Sequence, residues 1–167
     1  SIVYHVCRAL ECAHDHSIYH RDLKPSNVRI DRYGTIFVLD FGIARARDAA
    51  ISSTTRVGET LGTPLYMSPE QIRGAPVDAR SDLYSLGVMT YEMLTGTNPF
   101  RADTTHAVYA RHLHHTPQPP AEVNPRIKPA LSEIVLRLLE KDPEKRVQSA
   151  RELSVLLRPF REITEIT

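Results

Sequence analysis

Residues 81 to 95, running from Ser81-Asp82-Leu83 through Leu94 and Thr95, form a helical segment that is apolar or small on nearly every side. Leu83, Leu86, Met89 and Leu94 are spread around the helix instead of along one stripe, so no broad face of it suits water. A helix of that kind has to be wrapped by the rest of its chain. The wrapping material is itself mostly helical. Residues 1 to about 16 carry Val3, Val6, Leu10 and Ala13 at helical spacing, and Leu131, Ile134, Val135, Leu138 and Leu139 mark a clean one-faced helix. Ser68-Pro69-Glu70-Gln71 reads as a helix start, with Ser as N-cap, Pro at the first position and Gln three after the cap. Ser149-Ala150-Arg151-Glu152 is a capping box opening a last helix through Leu157.

Between these, a polar helix is expected near 103–115, followed by a Pro-rich connector from Pro117 to Pro129. The β content is small. Val28-Arg29-Ile30 and Thr35-Ile36-Phe37-Val38-Leu39 flank Asp31-Arg32-Tyr33-Gly34, a short hairpin with Gly closing the turn. The fold class expected is therefore mainly α with one β-hairpin, without internal repeats. From 43 to 66 the chain is polar and aperiodic, and a stretch of that length inside a compact domain is a functional or mobile loop.

Composition removes several function classes. Lys plus Arg number 21 against 20 Asp plus Glu, a net charge of +1 over 167 residues, so nothing attracts a nucleic acid or an anionic membrane surface. The longest purely apolar run, Ile36 to Leu39, is far short of the roughly 18 residues of a membrane-spanning helix. Two cysteines, Cys7 and Cys12, build no disulfide framework and suit a reducing, cytoplasmic setting. The chain opens on Ser1-Ile2-Val3-Tyr4 with the helical pattern already under way. The expectation is a fragment whose beginning lies upstream.

The informative stretch is His20-Arg21-Asp22-Leu23-Lys24-Pro25-Ser26-Asn27, followed by Asp40-Phe41-Gly42 after the hairpin and by Ser68-Pro69-Glu70 after the long loop. Asp22, Asn27 and Asp40 all offer oxygen, the donor type that hard Mg²⁺ selects. Phosphoryl transfer asks for a base that orients a hydroxyl, metal ligands, and cations against developing negative charge. A hairpin between Asn27 and Asp40 returns the chain so that the three oxygens share one neighbourhood.

On these motifs the chain resembles the protein kinases, specifically the larger C-terminal lobe of the Ser/Thr kinases, and its Pro-rich stretch resembles the bacterial eukaryotic-type members. The resemblance covers about residues 1 to 158. It implies a protein-kinase-like C-terminal lobe over 1–160 and the start of a tail over 161–167. It further implies transfer of the ATP γ-phosphoryl group to protein Ser/Thr hydroxyls, with ATP and Mg²⁺ as cofactors. In that reading Asp22 accepts the hydroxyl proton, Asn27 and Asp40 hold the metal, and Lys24 offsets charge on the transferring group. Ser26, Arg29 and the same Lys24, Asn27 and Asp40 fall to the ATP site. Arg29 departs from the apolar residue usual beneath the adenine. The Asp-Leu-Lys-Pro run favours Ser/Thr over Tyr substrates, and Thr63 matches the loop Thr that contacts the catalytic Asp.

The resemblance also assigns support. His20 packs on Phe41, next to Gly42; Asp82 anchors the backbone of the catalytic loop; Arg146 pairs with Glu70. Tyr84 stands where family members usually carry Trp, a change in packing. Arg21 before Asp22 marks the subclass activated by loop phosphorylation. Candidate sites are Ser52, Ser53, Thr54, Thr55 and Thr60, with Thr54 and Thr55 preferred by their distance before Gly62-Thr63. Partners implied are protein substrates, ATP, the chain's own N-terminal lobe, and a second kinase for trans-autophosphorylation. No Gly-x-Gly-x-x-Gly occurs in the 167 residues, so the phosphate loop and its lysine are expected upstream, and the fragment alone is expected inactive. Any membrane tether of the full-length protein is expected outside this chain.

Two rival readings stand beside this one. A pseudokinase or regulatory interaction module would keep the fold without turnover. A zinc site from Cys7, Cys12, His16 and His20 has only three residues between its Cys and His pairs, too few for a finger. His112, His114 and His115 sit on the polar helix and are expected to face solvent.

Overall fold

The computed structural model describes residues 1–41 and 64–160. The first helix, α1 (Ile2–His14), buries Val6, Cys7 and Leu10. A single 3-10 turn (Pro25–Asn27) leads into β1 (Val28–Ile30), which pairs antiparallel with β2 (Ile36–Val38) in the register Val28 to Val38, Arg29 to Phe37 and Ile30 to Ile36. The turn between them is organised by Asp31, whose Oδ1 accepts from the backbone N–H groups of Tyr33 and Thr35. Gly34 takes φ 81°, a conformation that a side chain would oppose.

After a 3-10 turn at Pro64–Tyr66 come α2 (Pro69–Ile72), α3 (Ala79–Thr95), α4 (Thr105–His114), α5 (Pro120–Val123), α6 (Pro129–Leu138) and α7 (Ala150–Leu157). The mainly helical class with one small antiparallel hairpin is as the sequence implies. The Pro-rich connector differs in one respect, since its Pro120 starts the short α5 at a first-turn position that needs no N–H.

α3 is the axle. Every residue from Ser81 to Tyr91 is buried. Leu83, Leu86 and Met89 face a large cluster with Val6 and Leu10 of α1 and Leu153 and Leu157 of α7. Tyr84, Val88 and Tyr91 face a second cluster with Phe100, Val135 and Leu139. Hydroxyls on this dry helix are all spoken for: Thr90 Oγ1 donates to the Leu86 carbonyl at 2.7 Å and Ser85 Oγ to the Tyr66 carbonyl at 2.7 Å. Its start is capped by Asp78, which accepts from the Arg80 N–H at 2.8 Å, and its end by Gly96 in the left-handed region.

Where α3 crosses α6 the backbones come close. A Cβ placed on Gly87 would sit 2.7 Å from Leu138 Cβ and 3.2 Å from Leu139 Cδ2. Gly87→Ala is therefore expected to destabilise by about 1–3 kcal/mol through overpacking, despite alanine's better helix propensity. Chemical unfolding checks this, and a variant as stable as wild type would show that the helices part without cost.

The capping signals are realised unequally. Ser68 and Gln71 form the complete reciprocal box. Ser149 accepts from the Glu152 N–H at 3.0 Å, but Glu152 turns its carboxylate to the N–H of Gln148 at 2.8 Å, one residue earlier. Ser149 is thus an N-cap without the reciprocal half.

Candidate active site

The loop from His20 to Asn27 is held by its backbone. Asp82, in the first turn of α3 and 1 % exposed, accepts from the His20 N–H with Oδ2 and from the Arg21 N–H with Oδ1, each at 2.8 Å. His14, at the end of α1, puts Nε2 2.9 Å from the same Oδ2. One carboxylate therefore ties α1, the loop and the central helix together. Arg21 is held at φ 65°, a left-handed conformation that costs a non-glycine residue about 1–3 kcal/mol and persists only where its surroundings impose it.

Asp22 follows immediately. Its carboxylate, 44 % exposed, takes the Lys24 ammonium at 2.8 Å. Asn27 is buried and donates from Nδ2 to the Asp22 carbonyl at 2.9 Å, which leaves Oδ1 as its remaining side-chain acceptor. The hairpin then closes the arrangement: the Leu39 N–H donates to the Asn27 carbonyl at 2.8 Å, so Asp40 emerges beside Asn27. Asp40 has φ 54° and is exposed. Behind it, the Phe41 ring lies 4.9 Å from that of His20, whose Nε2 is 2.8 Å from the Leu39 carbonyl.

The donor set fits Mg²⁺. One carboxylate at Asp40 and one amide oxygen at Asn27 supply hard oxygens, and Mg²⁺ is ordinarily completed by substrate phosphates and water instead of a full protein cage. No group of three or more His, Cys, Asp or Glu capable of holding a metal occurs among the described residues. The zinc reading fails on geometry: Cys7 is buried and donates to the Ala150 carbonyl at 3.0 Å, Cys12 is exposed, and His20 is committed to Phe41 and Leu39. Burial pushes the Cys7 thiol up to about 12.

Beneath the loop lies an ion pair. Arg146 is fully buried and meets Glu70 of α2 through two parallel bonds, Nη1 to Oε1 and Nη2 to Oε2, both 2.7 Å. Ser81 Oγ adds a third bond to Glu70 at 2.5 Å. Burial raises the Glu70 carboxyl, but the bonds from Arg146 and Ser81 outweigh it and hold it below the usual range. The Tyr84 ring covers the guanidinium at 4.9 Å, the role in packing that its substitution for Trp implied.

The expectation for His112 is corrected. His114 and His115 are exposed, but His112 is 0 % exposed, with its ring 4.3 Å from Phe100. Lys141 Nζ, a donor only, lies 3.4 Å from the Tyr84 oxygen, so the Tyr84 hydroxyl gives its proton to His112 Nδ1 at 2.9 Å. Burial and the nearby Lys141 push His112 down to about 3, keeping it neutral as this bond requires. A histidine on a polar helix gives no sign of this, because its partners come from α3, from Phe100 beyond its end and from Lys141 after α6.

Exposed positions complete the picture. Ser26 is exposed, and Arg29 lies on the exposed face of the hairpin opposite Phe37. Gly42, Ser52, Ser53, Thr54, Thr55, Thr60 and Thr63 lie outside the described residues.

A half-exposed carboxylate with an ammonium beside it and two further oxygen donors, carried by one loop and hairpin on a mainly helical body, are groups of the kind that phosphoryl transfer uses. The profile of the protein kinase domain matches residues 1–155, and the chain belongs to that family. Among relatives, it is 45% identical over 152 residues to the serine/threonine-protein kinase PknB of Mycolicibacterium smegmatis, covering 91% of this chain and 24% of that protein. It is 47% identical over 150 residues to the probable serine/threonine-protein kinase SCO3848 of Streptomyces coelicolor, 90% of this chain and 22% of that protein. PknB of Mycobacterium tuberculosis is 43% identical over 152 residues, 91% and 24% respectively. The chain spans about a quarter of the length of these curated relatives. No helix among the described residues is long and apolar enough to cross a membrane.

Proposed function

We propose that the protein carrying this chain is a Ser/Thr protein kinase, which transfers the γ-phosphoryl group of ATP to protein hydroxyls. The observation that carries this reading is the joint placement of Asp22, Lys24, Asn27 and Asp40 at the mouth of one hairpin. Asp22 accepts the proton of the attacking hydroxyl and orients its oxygen. Lys24, held 2.8 Å from Asp22 in this structure, is within reach of the transferring group and offsets its charge. Asn27 Oδ1 and the Asp40 carboxylate hold Mg²⁺, which when bound neutralises charge on the phosphates. Ser26 and Arg29 are the residues that would border the nucleotide, and the long apolar stem of Arg29 would let it serve there with its charge in water. Thr63 takes the role of the family's loop threonine in support of Asp22, and Thr54, Thr55 and Thr60 are the loop positions phosphorylated in trans by a second copy. The chain forms the C-terminal lobe over 1–160 and a tail from 161, works with an N-terminal lobe that supplies the glycine-rich loop and its lysine, and acts in the cytoplasm.

The test is incorporation of the ATP γ-phosphate into Ser or Thr of a generic protein substrate by the full-length protein, with Mg²⁺ and with chelator. Mg²⁺-dependent transfer is expected from wild type and no transfer from Asp40→Ala. A full-length protein that binds ATP but transfers nothing would establish the pseudokinase reading instead. The isolated 167-residue chain is expected to show no transfer.

A further inference from the structure

The side chain of Gln71 joins two parts of the molecule that the assigned roles leave unconnected. Its backbone N–H and its Oε1 belong to the capping box of α2: the N–H donates to Ser68 Oγ at 3.3 Å and Oε1 accepts from the Ser68 N–H at 2.9 Å. Its Nε2 points the other way and donates to the carbonyl of Arg21 at 2.6 Å, across fifty positions of sequence. Arg21 is therefore held on both sides of its Cα, at its N–H and at its carbonyl. Asp82 Oδ1 takes its N–H at 2.8 Å, and Gln71 takes its carbonyl. Arg21 is also the residue in the left-handed region, at φ 65°, and the peptide whose carbonyl Gln71 holds is the one that leads into Asp22.

We infer that Gln71 is a positioning residue for Asp22. An unfavourable backbone conformation relaxes when one of its restraints is removed, and a rotation at Arg21 carries the next side chain with it. Asp82 fixes the N–H side of the residue, while the following peptide, which ψ aims, is held by Gln71 on its carbonyl at 2.6 Å and by the longer bond of the Asp22 N–H to His20 Nδ1 at 3.3 Å. The fixed side of this grip is firm: α2 is seated through Glu70, whose carboxylate is bonded by Arg146 and Ser81. The catalytic loop is thus registered against α2 as well as against α3. Gln, and not the Glu that also completes a capping box, is the residue that can do both tasks, because only the amide has a donor to spare.

This inference rests on the kinase reading for its kinetic consequence, and the experiment separates the two. Gln71→Glu in the full-length protein keeps an acceptor for the Ser68 N–H but sets an oxygen against the Arg21 carbonyl. Ser68→Ala removes an acceptor from the cap and leaves the Gln71 to Arg21 bond. Expected for Gln71→Glu are a Tm lowered no more than in Ser68→Ala, an unchanged KM for ATP and a kcat lowered about ten- to hundredfold, the scale of small misplacements of a reacting group. Expected for Ser68→Ala are a lower Tm and an unchanged kcat. Amide hydrogen exchange over residues 20–24 is expected to quicken in Gln71→Glu alone, a readout independent of turnover. Wild-type kcat and unaltered exchange in Gln71→Glu would overturn the inference, as would losses of kcat in both variants that simply follow their losses in Tm. A wild-type protein without transferase activity would overturn the kinase reading, and the exchange comparison would still decide whether Gln71 holds the loop.

Discussion

Asp22→Asn in the full-length protein is expected to lower kcat by about 10²–10⁴-fold, the contribution of a positioned general base, while leaving the fold and the KM for ATP in place. The substitution is nearly isosteric and retains an oxygen for Lys24, whose ammonium now lies 2.8 Å from Oδ2. The side chain is 44 % exposed, so no buried charge is created or stranded. Its neighbours are fixed by other groups: Asn27 bonds to the Asp22 main-chain carbonyl, which the substitution does not touch, and Asp82 holds the backbone of His20 and Arg21. An exposed change of this kind shifts stability by less than about 0.5 kcal/mol. Steady-state kinetics with thermal unfolding on the same samples make the comparison. Near-normal kcat in Asp22→Asn would show that another group accepts the proton, and a large drop in Tm would show that the carboxylate is structural.

How far the molecule was legible follows from the range of the signals. Helices with a strong period or a clear start were readable: the all-round pattern of 81–95 marks α3, and the Ser-Pro-Glu-Gln start marks α2, because helix periodicity and caps are local chemistry. The ordered run from His20 to Asn27 and the Asp-Phe-Gly after a hairpin are local too, so candidate members of the site could be named. What local pattern does not carry is the identity of long-range polar partners. His112 sits among His114 and His115 on a helix of little apolar character, yet its ring is inside because Tyr84, Phe100 and Lys141 arrive from elsewhere to receive it. His14 beside Asp82 and Gln71 beside Arg21 are of the same kind. In each case the residue's immediate neighbours suggest a surface or capping role, and a hydrogen-bond partner 28 or more positions away determines its actual one. The Glu152 cap shows the converse, where a complete local motif is diverted by a neighbouring N–H.

Arg146→Met is expected to destabilise the protein by about 3–5 kcal/mol, since removing one member of a buried pair leaves the other charge without compensation. The loss is concentrated because the guanidinium serves five acceptors. Besides the two bonds to Glu70, Nε donates to the Glu140 carbonyl at 2.7 Å, and Nη1 and Nη2 reach the carbonyls of Arg80 and Lys141 at 3.1 and 3.3 Å. Methionine fills the space under Tyr84 but bonds to none of them. The pH dependence has a definite sign. In wild type Glu70 is held below its ordinary 4.5, so its contribution is present above the unfolded value and is lost as pH falls through the lower folded one. Without Arg146 the burial that opposes the charge prevails and Glu70 rises above its ordinary range. The variant then gains relative to wild type as pH falls and the carboxyl takes up a proton. Urea unfolding at about pH 8 and about pH 5 should show a smaller gap between the two proteins at the lower pH. Glu70→Gln combined with Arg146→Met should recover part of the loss, because the stranded charge is gone. A deficit below about 1 kcal/mol, or one that does not change with pH, would mean that water reaches Glu70 and the pair is worth no more than a surface contact.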